Sequence, residues 1–188
     1  MITETLQGPT FWFAVGAAAM LTGATVFASK VKTGEERNID YYVVLSFIAL
    51  TAGVAYIALA TGIGIINVGG KDVHIARYLD WIVTTPLILL LFALLANASI
   101  KEWSVVAALD VLMIATGAIG AFESGVTRYI WFGASCFMMI FLFYYLFGRV
   151  TKAAKDERPA IQSLFALLRN YIAAIWIAYP LVWVLAPS

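Results

Sequence analysis

The chain has 188 residues, of which 63% are hydrophobic and only 12% charged. An ordinary soluble domain is roughly half apolar and about a quarter charged, so this composition cannot cover a water-facing surface of its size. Lys+Arg 12 against Asp+Glu 11 leaves a formal charge of +1, with no basic face for a nucleic-acid partner. One cysteine, Cys136, excludes an intrachain disulfide and a cysteine-based metal cluster, and one histidine, His74, excludes a multi-histidine metal site. The expected surroundings are a lipid bilayer, with no metal.

A helix needs about 20 apolar residues to cross the hydrocarbon core. Six stretches qualify: Phe11 to Ser29, Tyr41 to Ile66, Ile75 to Ala96, Trp103 to Phe122, Tyr129 to Phe147 and Leu164 to Leu185. The opening MITETLQGPT has no Lys or Arg before the first apolar run and reads as a poor secretory signal. The connections are polar: KVKTGEERNID, NVGGKDVH, NASIKE, ESGVTR and GRVTKAAKDERPAIQS. Gly69-Gly70 in the second of these predicts either a small hairpin or an irregular loop. Residues 1–188 read as one transmembrane domain. The fold class is all-α, a polytopic helix bundle.

Basic residues gather on one side of these spans. The connections after the first, third and fifth spans, with their flanks, hold Lys30, Lys32, Arg37, Lys101, Arg149, Lys152, Lys155, Arg158 and Arg169. The other side holds Lys71, Arg77 and Arg128, and Arg77 falls within the third span. The positive-inside rule then predicts a multi-pass cell-membrane protein with an extracellular N-terminus.

Charges inside the spans are costly and mark functional sites by default. The third span reads ARYLDWIVTTPLILL, with Arg77 and Asp80 three residues apart on one helical face. The plain alternative is that the two neutralise each other near the membrane surface. Asp110 in the fourth span reads as structural, a carboxyl hydrogen-bonded to a neighbouring hydroxyl. His74 reads as solvated, and Cys136 as a small packing residue. In the sixth span, RNYIAAIWIAYPLVWVLAP, Trp176, Tyr179 and Trp183 fall on one stripe around Pro180. With Trp81 they suit the walls of a flat, apolar ligand, the alternative being ordinary packing and interfacial anchoring.

ARYLDWIVTTPLILL and LLRNYIAAIWIAYPLVWVLAP closely resemble the third and sixth helices of microbial (type 1) rhodopsins, in the haloarchaeal bacteriorhodopsin and sensory rhodopsin II branch. VAYIALATGIG, ALDVLMIATGAIGA and RYIWFGASCFMM match in order and spacing, so the likeness covers nearly the whole chain. It implies a seven-helix fold that holds all-trans retinal as a protonated Schiff base. It implies Asp80 as counterion and proton acceptor, Thr84 as its hydroxyl neighbour, and Arg77 with Tyr56 along the proton pathway. Trp81, Trp176, Tyr179, Pro180 and Trp183 would wall the polyene, with Thr85, Met113, Gly117, Phe132, Ser135 and Met139 around chain and ring. Asp110 would be the structural carboxyl bonded to Thr85.

The family's seventh helix carries the lysine that bonds retinal. Here Lys30, Lys32, Lys71, Lys101, Lys152 and Lys155 all lie in loops or at helix ends. The resemblance therefore leads to the expectation that these residues are a fragment, with the seventh helix and its lysine outside them.

Three functions follow, none of them enzymatic. A photoreceptor is expected first. Asp80, Thr84 and Leu91 resemble the sensory pattern, in which the carboxyl proton donor eleven residues after the counterion is replaced. A transducer protein and a homo-oligomer are the partners open to it. A light-driven outward proton pump is the alternative, since an acid at Asp80 argues against chloride transport. A six-helix scaffold without photochemistry is the third reading, favoured if the native chain ends at Ser188.

Overall fold

A computed structural model describes residues 8–34 and 38–185. The opening heptapeptide, Arg37 of the basic loop and Ser188 lie outside the described residues. Helices α1 (Pro9–Thr33) and α2 (Ile39–Ala60) are followed by strands β1 (Ile66–Val68) and β2 (Lys71–Val73). Helices α3 (Ile75–Leu95), α4 (Ile100–Phe122) and α5 (Gly125–Tyr145) come next. A π-helical segment, Leu146–Val150, then runs into the short α6 (Thr151–Ala154), and α7 (Pro159–Leu185) completes the order. Among the described residues the fold is all-helical apart from the hairpin, and six helices are long and apolar enough to cross a membrane, α5 to α6 counting as one. The residues fall into two compact units, the first ending at Leu87 and the second starting at Ile88.

In the first unit α1 and α2 run antiparallel along each other, and small residues set their distance. A Cβ on Gly16 would stand 2.5 Å from the Tyr56 ring, and one on Gly53 would stand 2.8 Å from Leu21 Cδ2. Pro9 opens α1, where a missing amide costs nothing, and Lys30 and Lys32 complement the negative end of its dipole.

The second span was expected to reach Ile66, but α2 stops at Ala60. Gly62 takes φ +79°, a left-handed conformation that ends a helix at least cost at glycine. The Gly64 amide then donates to Ala58 O at 2.9 Å, and the chain turns into the hairpin. Of the two readings of NVGGKDV, the hairpin forms. Val68 pairs with Lys71 across Gly69 and Gly70, whose φ values of 60° and 86° suit a two-residue turn of the kind that matches strand twist.

The second unit has a continuous apolar core. Leu89, Phe92, Leu142, Leu146, Val150 and Phe165 are among its buried members, and Phe92 meets Phe165 edge-on at 5.7 Å. Asn97 closes α3 at φ 50°, with Ala98 N donating to Ala93 O, a left-handed helix cap. Three helices extend past their expected ends. Helix α4 starts at Ile100 because Ser99 and Glu102 close a reciprocal capping box. Helix α7 starts at Pro159, a residue at ease in a first turn. Beyond Tyr145 the fifth span continues as the π segment, whose Leu146 carbonyl accepts from Thr151 Oγ1 at 2.9 Å. Arg169 of α7 donates to that same hydroxyl at 2.8 Å and lies 4.3 Å over the Phe147 ring.

Candidate functional site

In the first unit the candidate residues surround the start of α3. Asp80 is buried, with 7% of its surface exposed, on a helix rich in Leu and Ile. Its Oδ1 meets no hydrogen-bond partner among the described residues. Thr84 is also buried, and its hydroxyl donates to the Asp80 backbone carbonyl at 2.9 Å. Thr85 repeats the pattern on Trp81 O at 2.7 Å. Bonds of this kind to the preceding turn satisfy a hydroxyl inside a helix. Trp81 is half-buried, with its ring edge-on to Tyr78 at 5.7 Å.

Arg77, expected on one face with Asp80, is exposed, and the two form no ion pair. Tyr56 is half-buried in the slot over Gly16 and meets Phe13 edge-on at 6.2 Å. Phe13 also touches the His74 ring at 5.8 Å. His74 is therefore not simply solvated. Partial burial and then the nearby Arg77 charge push its pKa below the usual value of 6.5, against an opposing pull from Asp72.

In the second unit Met113, Gly117 and Ser135 come together. Ser135 Oγ donates to Met113 O at 2.7 Å, tying α5 to α4. A Cβ on Gly117 would stand 3.2 Å from that same Oγ, so glycine keeps the space beside it open. Asp110 is completely buried, and Met139 and Cys136 are half-buried.

The sixth-span aromatics do not share one environment. Trp176 is buried and packs near Phe143 at 6.4 Å between ring centroids. Tyr179 is 47% exposed, Pro180 half-buried, and Trp183 half-buried and stacked on Phe132 at 4.7 Å with 12° between planes. Leu91 is half-buried beside the buried Leu89 and Phe92.

Arg128 departs most from its expected place. Read as a charge of the ESGVTR connection, it belongs to the first turn of α5, because the connection shrinks to Glu123 and Ser124. It is only 8% exposed. A cation in a helix's first turn opposes the dipole, so something else must hold it there. Gly16 and Phe143 were likewise not singled out. Gly16 has no signal in one sequence, since its importance lies wholly in what another helix places over it.

The chain is similar to known proteins along nearly its whole length. A sequence profile of bacteriorhodopsin-like proteins matches residues 7–188. Sensory rhodopsin-2 of Natronomonas pharaonis is 38% identical over 182 residues, covering 97% of this chain and 76% of that protein. Bacteriorhodopsin of Haloterrigena sp. (strain arg-4) is 37% identical over 190 residues, covering 98% and 76%. Among solved structures, the light-driven proton pump rhodopsin of Coccomyxa subellipsoidea superposes with a TM-score of 0.91 at 30% identity, covering 96% of this chain and 82% of that one. Neither the fold nor these likenesses bears out the expectation of a seventh helix outside the chain. The chain belongs to the bacteriorhodopsin-like family of microbial rhodopsins, as a multi-pass membrane protein.

Proposed function

We propose that this chain is a retinal-binding photoreceptor of the sensory type, with Asp80 as counterion and proton acceptor. The observation that carries the reading is the buried Asp80, whose Oδ1 has no hydrogen-bond partner among the described residues. A carboxylate kept so far from water needs a cation close by. The residues present fit retinal. In the first unit Asp80 suits its cationic end and Trp81 is a flat apolar side chain; in the second, Trp176 is another, and Gly117 keeps a space beside Ser135 that any side chain would enter. Thr85, Phe132, Met113, Met139, Tyr179, Pro180 and Trp183 complete the proposed lining.

When bound, retinal supplies visible-light absorption and a light-driven change of shape. Every lysine of the chain stands in a strand, in a loop or near a helix end, so the covalent Schiff-base link of all-trans retinal is proposed to a lysine outside these residues. Asp80 holds a negative charge against that link and takes a proton on its carboxyl oxygen. Thr84, one turn on, fixes the backbone that carries Asp80. Arg77 and Tyr56 form the proposed path from Asp80 toward the extracellular side, where the excess of basic residues at the opposite helix ends puts the N-terminus. Asp110 has the structural role.

Leu91 supports the sensory reading over the pump. It has no proton to give, and its chain neighbours Leu89 and Phe92 are buried and apolar. Resupply of a proton by that route would be slow, which suits a long-lived signal passed to a transducer protein. The outward proton pump is the second reading, favoured by the acid at Asp80. Reconstitution of the complete protein with all-trans retinal in vesicles tests the choice. A visible pigment with a slow photocycle and little light-driven pH change supports the sensor. Sustained acidification outside right-side-out vesicles supports the pump. Absence of any pigment defeats both.

A further inference from the structure

The buried guanidinium of Arg128 has no place in the function above, although it breaks two physical expectations. It lies in the first turn of α5, where the helix dipole opposes a cation, and it pairs with no carboxylate among the described residues. Among the described residues, the hydrogen bond and the ring contact of its guanidinium both lead to one residue. The guanidinium carbon lies 4.4 Å from the centre of the Trp183 ring, and Nη2 donates to the Trp183 backbone carbonyl at 3.4 Å. Phe132, one turn along the same face of α5, stacks on the same indole at 4.7 Å. Around it, Leu181, Val182, Val184 and Leu185 are 63%, 64%, 47% and 81% exposed. Trp183 is thus the residue through which this end of α7 is fastened to α5.

We propose that Arg128 is a positioning residue: with Phe132 it clamps Trp183, fixing both the indole plane and the backbone of the last turns of α7. A desolvated cation over an indole face is among the stronger contacts of its kind. A planar guanidinium can lie over a ring while one of its several N–H groups is directed at a carbonyl, an arrangement that lysine, with a single point charge, does not reproduce. The backbone at this point is tight as well. A Cβ on Gly120 would stand 3.2 Å from Arg128 O, so the short connection between α4 and α5 leaves the first turn little freedom to shift. The clamp deepens the retinal reading, because it sets the angle of a wall residue, but it exists without retinal.

The test uses the complete protein in nanodiscs, first without retinal. Ultraviolet resonance Raman spectra of wild type, Arg128→Gln and Arg128→Lys are compared, with the Trp183 contribution identified by its loss in Trp183→Phe. The clamp predicts that Arg128→Gln shifts the Trp183 bands and leaves the other indoles alone, with Arg128→Lys in between. Melting temperatures of Arg128→Gln and Trp183→Phe should each fall, and the double variant should fall by less than their sum. With retinal added, the same cycle should show coupling of about 3- to 30-fold in retinal affinity. Unchanged Trp183 bands, or additive melting shifts, would overturn the proposal. Should Arg128→Gln fail to fold, Arg128→Lys against wild type still decides it. A wild type that binds no retinal but shows the Raman shift and the non-additive melting would sink the retinal reading and leave the clamp standing.

Discussion

Asp80, Leu91, His74 and Arg128 were not equally legible in the sequence. Asp80 was plain, because an acid within an apolar span is costly wherever it points. Leu91 drew notice only through the family pattern, since one more leucine in ILLLF carries no signal of its own. Its consequence is testable. Leu91→Asp should place a proton donor three turns beyond Asp80 on the same face of α3. The slow recovery of the light-induced absorbance change should then accelerate by about ten-fold or more, within the range of positioned proton donors. Flash photolysis across a pH series measures this. A wild-type decay that is already fast and independent of pH would point to another donor and to the pump. His74 gives a second prediction. Burial and Arg77 hold its pKa below 6.5 in the folded protein, so the unfolded chain binds the proton more readily. Its contribution is therefore intact above the unfolded value and is lost as pH falls below about 6.5 through the lower folded value. Thermal melts from pH 8 to 5 should show His74→Asn losing less stability on acidification than wild type. Equal losses would contradict the assigned cause.

At the scale of elements, the apolar runs located all six spans, because only uninterrupted stretches of that length can cross hydrocarbon. The ends were harder. The expected second span ran six residues past Ala60 because Ile63, Ile65 and Ile66 continue the hydropathy, whereas Gly62, at φ +79°, ends the helix through backbone conformation. Ser99 with Glu102, and Pro159, were readable start signals that hydropathy alone passed over. The π segment had no such signal, since its register depends on Thr151 bonding Leu146 and on Arg169 reaching over from α7. Helix contacts made by absent side chains are likewise invisible in a single sequence. Gly16→Ala would put a methyl 2.5 Å from the Tyr56 ring, forcing α1 away from α2 or the ring from its slot. Overpacking of this kind costs about 1–3 kcal/mol, so the melting temperature should fall. Tyr56→Ala in the same chain should recover part of the loss, and additive losses would show that the slot is not the cause. Ser99→Ala should cost about 1 kcal/mol through the lost cap, with no change in the absorption spectrum.

At the scale of the molecule, composition alone separated a membrane protein from a soluble one, and two motif-bearing spans led to the family. The same division of labour holds in the structure. The first unit carries the polar residues of the proposed proton path, Tyr56, Arg77, Asp80 and Thr84, while the second carries most of the proposed apolar lining and a buried apolar core. The central claim is that Asp80 is the anion facing a retinal cation. It is tested most directly by titrating the visible spectrum of the complete, retinal-loaded protein and its Asp80→Asn variant over a wide pH range. The account predicts that Asp80→Asn moves the absorption band to longer wavelength and abolishes the acid-side colour change of wild type. The same band position and the same titration in both proteins would contradict it.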